Sequence, residues 1–292
     1  MSRLLLPMPG NGDFAARLAA AGAFELGPLE VRAFPDGERY VRIDADVGGR
    51  DVALVCTLAQ ADQHFLPLAF AADALRDLGA ASVTLVAPYL GYMRQDARFQ
   101  PGEAVTSRTF ARLLSSTVDG LLTVDPHLHR FTSLDELYSV PAQALPAAAE
   151  IGAWVAREAP DALVVGPDSE SVQWAEDIAN AAGVPFVVLQ KRRTGDRQVS
   201  IEVPDLNAYR GRRAVLVDDI ASSGRTLATA AHGIIDQGFG APDMVVVHAL
   251  FADDALAAVQ RLVQRVISTD TVAHSTNAIS VAPHVAEALA RF

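Results

Sequence analysis

The sequence predicts an α/β protein of two similar domains, each on a mainly parallel sheet, with a β-hairpin projecting from the first. Three observations carry this expectation. Short, nearly continuous apolar runs alternate with segments of helical periodicity along almost the whole chain, as parallel strands covered on both faces require. The rhythm runs twice, over 1–145 and 146–292, with the proline-punctuated stretch Ser139–Pro146 between the two halves. A single turn signature, Pro35-Asp36-Gly37, interrupts it: the proline fixes φ and the glycine takes the positive-φ position.

Taken in order, the first half offers strands at Leu4–Met8, Val52–Leu58, Val83–Pro88 and Leu121–Val124. Helical patterns fall between them at Asp13–Ala21, Phe65–Leu78 and Ser107–Ser115. The hairpin arms are Val31–Phe34 and Arg39–Ile43. The second half offers strands at Ala162–Val165, Phe186–Leu189, Ala214–Val217, Met244–Leu250 and Val266–Ser268. Its helices lie near Ala147–Arg157, Ser169–Ala182, Leu227–Gln237 and Asp254–Leu262. No residue-level repeat accompanies the duplicated rhythm.

With 292 residues, 50 % hydrophobic and 20 % charged, the chain has the composition of an ordinary globular protein able to bury a sizeable core. A net charge of −11 argues against nucleic acid or an anionic membrane as partner. Cys56 is the only cysteine and sits in an apolar run; it reads as a core residue, and no intrachain disulfide is possible. The apolar stretch in Met1–Gly12 is too short for a secretion signal, and no run reaches the 18 residues of a membrane span. The expected location is the cytoplasm.

In open α/β sheets, ligands bind at the carboxyl ends of the strands, so the residues just after each strand carry the functional information. The most telling segment is Ala214–Leu227: an apolar strand, the adjacent acids Asp218 and Asp219, then Ser222, Ser223, Gly224, Arg225 and Thr226 opening a helix. A loop entering a helix directs N–H groups and the positive helix terminus at one point, which suits a phosphate. The paired carboxylates suit ribose hydroxyls or a divalent cation. Together they read as a sugar-phosphate seat, with a helix cap by Ser222 or Ser223 as the plainer alternative.

Other strand ends add to this. After Val83–Pro88 come Arg94, Gln95, Asp96 and Arg98 among aromatics, a set able to stack a base and neutralise a polyphosphate. After Leu121–Val124, Pro126 stops the strand and presents His127, placed for a metal or phosphate. Asp168 follows Ala162–Val165 and either caps the next helix or holds a cation. After Phe186–Leu189, Lys191, Arg192 and Arg193 form a basic loop suited to clamping phosphate. Gly10–Ala15 matches a dinucleotide fingerprint only weakly and reads as a turn; no P-loop and no zinc spacing is present.

These motifs, in this order over nearly the full chain, resemble the ribose-phosphate diphosphokinase (phosphoribosyl pyrophosphate synthetase) family. Phe34-Pro-Asp36-Gly-Glu38 is similar to its nucleotide-binding hairpin, and Pro88–Asp96 to its ATP loop. Thr123–His127 is similar to the strand end with its active-site histidine, and Gly166-Pro-Asp168 to its magnesium-site aspartate segment. Lys191–Arg193 resembles the base of its catalytic loop, and Val217–Thr226 its ribose 5-phosphate site, a motif shared with type I phosphoribosyltransferases. The Ser222–Thr226 form is nearer that of archaeal members.

The resemblance implies a type I phosphoribosyltransferase-like fold in both domains. It implies Mg²⁺-dependent transfer of the β,γ-diphosphoryl group of ATP to the C1 hydroxyl of ribose 5-phosphate. Lys191, Arg193 and His127 would then be catalytic; Phe34, Asp36, Glu38, Arg94, Gln95 and Asp96 would bind ATP. Asp218, Asp219 and Ser222–Thr226 would bind ribose 5-phosphate, and His127 with Asp168 would hold Mg²⁺. It also implies a homodimer or higher homo-oligomer in which the hairpin reaches a neighbouring subunit. Two rivals stand beside it: a phosphoribosyltransferase, for which Arg94-Gln95 and His127 have no use, and an inactive associated subunit, which should have lost loop cations or acids.

Overall fold

The computed structural model describes residues 3–193 and 199–292, without the side chains of 191–193 and 199–202. The described residues form two compact units. The first comprises Met1–Leu145 together with Thr271–Ala273 and Val281–Phe292; the second comprises Pro146–Asp270 and His274–Ser280.

In the first unit the chain runs through β1 (Leu4–Pro7), α1 (Gly12–Gly22), β2 (Glu25–Leu26), β3 (Leu29–Ala33), β4 (Arg39–Ile43), β5 (Asp51–Val55) and α2 (Ala61–Asp77). It continues through β6 (Ser82–Ala87), α3 (Thr106–Thr117), β7 (Gly120–Val124) and β8 (Ala142–Leu145). Six of these strands make one parallel sheet in the order β2-β1-β5-β6-β7-β8. Its central strands are apolar at nearly every position because both faces are covered, so β5, β6 and β7 bury Val52–Val55, Val83–Ala87 and Gly120–Val124. β3 and β4 pair antiparallel around the Pro35–Gly37 turn, and Leu29, Val31, Val41 and Ile43 anchor this hairpin on the unit's core.

The second unit contains α4 (Ala148–Glu158), β9 (Ala162–Gly166), α5 (Val172–Ala182), β10 (Phe186–Val188), β11 (Gln190–Arg193), β12 (Val199–Glu202), β13 (Arg213–Ala221) and α6 (Arg225–Asp236). β14 (Asp243–Ala249), α7 (Ala255–Gln260), β15 (Arg265–Thr269) and β16 (Asn277–Ile279) complete it. Its sheet is again parallel, in the order β10-β9-β13-β14-β15-β16. Counting the strands within each sheet, both units have the order 2-1-3-4-5-6, so the duplication lies in topology.

Four features depart from the sequence reading. Ser139–Pro146, read as lying between the halves, contains β8, which pairs with β7 and closes the edge of the first sheet. The C-terminal helix α8 (Ala282–Arg291) belongs to the first unit, where Arg3 donates to Leu289 O at 2.7 Å, although the split at 145 and 146 assigned it to the second half. The basic segment Lys191–Arg193, read as a loop, is strand β11 paired antiparallel with β12. Finally, β13 runs on to Ala221 instead of stopping at Val217, because Ile220 and Ala221 keep their pairing with His248 and Ala249.

Candidate active site

The order of the second sheet places β9 beside β13, and this is where the order reverses, the crevice at which open α/β sheets take ligands. Asp168 follows β9, and Asp218 and Asp219 lie near the end of β13. Three acids separated by some fifty residues of chain are thereby brought into electrostatic contact. Burial holds the Asp218 carboxyl well above the usual carboxylate range, and the negative charges of Asp219 and then Asp168 push it further. The Asp219 N–H donates to Asp218 Oδ1 at 3.0 Å, which offsets only part of this. Asp168 also caps the turn at Ser169–Ser171, accepting from the Glu170 N–H on Oδ1 at 3.0 Å within a capping box closed by Ser171. Of the two readings offered for Asp168, the cap is the one seen here.

Beyond the acids the loop is pinned and then turns into α6. Leu250 N donates to Ala221 O at 2.9 Å and Ala252 N to Ser222 O at 3.1 Å. Gly224 is the residue before α6; it has φ +68°, and a Cβ there would sit 2.8 Å from Val259 Cγ2, so only glycine fits. The N-cap position itself is a glycine, and a helix N-terminus of this kind carries a positive field suited to an anion. Ser223 and Arg225 are exposed beside it, with Ser222 and Thr226 half-buried.

In the first unit the corresponding crevice, between β1 and β5, is filled. Asn11 is buried, accepts from Thr57 N at 2.8 Å on Oδ1, and donates through Nδ2 to Met8 O and Pro9 O. Thr57 Oγ1 in turn donates to Thr271 O. The weak Gly10–Ala15 fingerprint is thus a structural plug, a role for Asn11 that sequence reading missed.

The polar candidates of this unit gather after β6 and β7. Tyr89, Leu90 and Met93 are buried, while Arg94 is exposed and Gln95 half-buried. Gly91 is required because a Cβ there would meet Leu58 O at 2.7 Å. After β7, Asp125 takes φ +35°, a left-handed conformation costly for a side-chain-bearing residue, and Pro126 and His127 follow. The His127 and His129 rings lie nearly parallel, 7° apart with centroids 6.1 Å apart. Asp96 points inward, only 6 % exposed, with Arg130 Nε 3.4 Å from Oδ1 and His129 Nδ1 3.8 Å from Oδ2. The sequence reading gave no role to His129, although it lies in the same strand-end run as His127, and did not single out Arg130.

At the hairpin tip, Phe34 is 40 % exposed, and Asp36 and Glu38 are exposed. The Arg32 guanidinium lies 4.8 Å from the Phe34 ring centroid and 4.1 Å from that of Tyr40, which fixes the aromatic in place. Glu38 N donates to Asp36 Oδ1 at 3.1 Å, tightening the turn. Lys191 and Arg193 stand on β11, and their side chains lie outside the described residues.

The hard oxygen donors Asp218, Asp219 and Asp168, mutually repelling, suit a divalent cation of the Mg²⁺ type. Among the described residues no three His, Cys, Asp or Glu side chains converge as a metal cage. An ion that keeps several waters and shares substrate phosphates does not need one. His127 belongs to the first unit and Asp168 to the second. No helix among the described residues is long and apolar enough to cross a membrane.

Comparison with known proteins gives the following. Residues 4–117 match the N-terminal domain of ribose phosphate pyrophosphokinase, and residues 134–284 match the phosphoribosyl transferase domain. The ribose-phosphate pyrophosphokinase of Methanopyrus kandleri is 38 % identical over 279 residues, covering 94 % of both chains. That of Methanothermobacter thermautotrophicus is 35 % identical over 289 residues, covering 98 % of this chain and 99 % of the relative. The crystal structure of phosphoribosylpyrophosphate synthetase from Mycobacterium smegmatis superposes with a TM-score of 0.85 at 24 % identity, covering 99 % of this chain and 98 % of the other, and so shares the fold.

Proposed function

The chain belongs to the ribose-phosphate pyrophosphokinase family, and from that premise we propose that its two units serve the two substrates of one diphosphoryl transfer. The reaction makes phosphoribosyl pyrophosphate and AMP from ribose 5-phosphate and ATP. The C1 hydroxyl oxygen of the sugar attacks the β-phosphorus, the bond from that phosphorus to the oxygen bridging the α-phosphorus breaks, and AMP leaves with that oxygen. The hydroxyl proton is released.

The second unit seats the sugar phosphate. Asp218 and Asp219 accept from the ribose 2- and 3-hydroxyls and so orient C1. The N–H groups opening α6 and the hydroxyls of Ser222, Ser223 and Thr226 hold the 5-phosphate, with Arg225 as a flanking cation. The observation that carries this reading is the acid pair beside a helix entry that turns through the left-handed Gly224. The first unit serves the nucleotide: Arg94 and Gln95 face the polyphosphate, and Phe34, Asp36 and Glu38 form the hairpin contact with ATP in a neighbouring subunit of a homodimer or larger assembly. Lys191 and Arg193 neutralise charge on the transferring group; such preorganised contacts supply much of the rate in phosphoryl transfer. Mg²⁺, when bound, would neutralise the polyphosphate; His127 and Asp168 are the residues that would hold it. A cytoplasmic location accords with a single, buried cysteine.

The test is direct. Purified protein with Mg²⁺, ATP and ribose 5-phosphate is scored for AMP, with omission of the sugar as control. Sugar-dependent AMP is expected. Its absence, or release of pyrophosphate from phosphoribosyl pyrophosphate only when a base is added, would overturn the reading in favour of a phosphoribosyltransferase.

A further inference from the structure

We propose that Asp96 is a positioning residue that ties the loop after β6 to the loop after β7, holding Arg94 and Gln95 in fixed relation to His127. This rests on reading the first unit as the nucleotide half. Asp96 directly follows Gln95, and the two side chains facing its carboxylate, His129 and Arg130, lie two and three residues past His127. The two loops leave adjacent strands, since β6 pairs with β7 from Thr84 and Gly120 to Ala87 and Thr123. A tie between them therefore fixes the strand ends that carry Arg94, Gln95 and His127.

The burial of Asp96 needs a reason. A carboxylate in the interior costs stability unless it is fully paired, and an apolar residue of similar size is often the more stable choice. Here the pairing is incomplete: no hydrogen bond reaches the buried Asp96 Oδ2, and Arg130 Nε and His129 Nδ1 stand 3.4 and 3.8 Å away, beyond the roughly 2.7–2.9 Å of a tight charge-assisted contact. Arg130 makes a second contact with the same loop, its guanidinium 5.6 Å from the Phe99 ring centroid. The Glu103 carboxylate in turn accepts from the N–H groups of Phe99 at 2.7 Å and Gln100 at 3.1 Å, and Arg98 Nε donates to Glu103 O. Arg130 is thus gripped at two points of a braced loop. Long polar contacts of this kind tighten when substrate completes a site. Asp96 then acts through its neighbours and does not touch the nucleotide.

The experiment measures Asp96→Asn, Arg130→Met and the double variant beside the wild type. ATP and ribose 5-phosphate are varied in turn, with Mg-ATP affinity by calorimetry and thermal midpoints recorded. Asp96→Asn keeps the shape of the side chain, and Arg130 is half-exposed, so both variants are expected to fold. Either single change should lower kcat/KM for ATP about ten- to a hundredfold, as small misplacements at reacting groups do, and weaken Mg-ATP binding. KM for ribose 5-phosphate should move less than about twofold, and the double variant should be no worse than the poorer single one. Additive losses, equal losses toward both substrates, or a lowered thermal midpoint with unchanged kinetics would overturn the proposal. A wild type that forms no AMP would refute the proposed reaction; the calorimetric arm would still decide whether Asp96 and Arg130 act as one unit in nucleotide binding.

Discussion

Replacing Asp218 by Asn should make the protein more stable and nearly inactive at the same time. In the free protein, burial and the charges of Asp219 and Asp168 all favour the protonated carboxyl, so Asp218 releases its proton at higher pH when folded than when unfolded. Between those two values the native state binds more protons than the unfolded chain, and stability falls as pH rises. For one group the slope in that window is at most about 1.4 kcal/mol per pH unit, or roughly 3–5 °C in the thermal midpoint for a domain of this size. Above the window the penalty is fully present. Asp218→Asn removes the group, so its thermal midpoint should exceed that of the wild type at neutral pH and should lack this slope. Mg²⁺ should narrow the gap by stabilising the wild type more than the variant. Turnover should fall on the order of 10²–10³-fold, the usual loss when one preorganised polar contact to a reacting substrate is removed. The assay is a thermal melt from about pH 4 to pH 8, with and without Mg²⁺, beside AMP release. Parallel pH profiles for variant and wild type, or a less stable variant, would refute the electrostatic account of this site.

Three further outcomes follow from the same geometry. Gly224→Ala forces a left-handed side-chain-bearing residue, at about 1–2 kcal/mol, and a Cβ against Val259, at about 1–3 kcal/mol. It should lower the thermal midpoint and raise KM for ribose 5-phosphate more than KM for ATP, as steady-state kinetics would show. Asn11→Ala strands the Thr57 N–H, costing about 1–3 kcal/mol by denaturant unfolding, with both KM values unchanged if the first crevice is only a plug. Lys191→Ala should reduce kcat at least about 10²-fold with an unchanged melt; near-normal turnover would remove it from the transition-state contacts.

The architecture was legible where local pattern suffices. Every central strand was visible because a parallel strand buried on both faces must be apolar nearly throughout, and the hairpin because Pro35 and Gly37 each permit only part of backbone space. Short edge strands were not: β8 hid among prolines, β2 has two residues, and β16 has three, too few for a period to register. The basic stretch at Lys191 looked like a loop because charge dominates its composition, whereas its strand form comes from pairing with β12 across the intervening residues.

For the site, sequence alone determined which side chains exist at strand ends: Asp218 and Asp219 before a small-residue helix entry, Arg94 and Gln95 after one strand, His127 after another. Those are covalent neighbours, so their spacing is written in the chain. Strand order is not, because it depends on which apolar faces bury together across long separations. Only the folded sheet set β9 beside β13 and so loaded Asp218 with the charge of Asp168, and only it placed Asn11 across the ends of β1 and β5. The inward turn of Asp96 toward Arg130 was decided in the same way. Two sheets of identical order thus diverge in use through contacts that no local window of sequence contains.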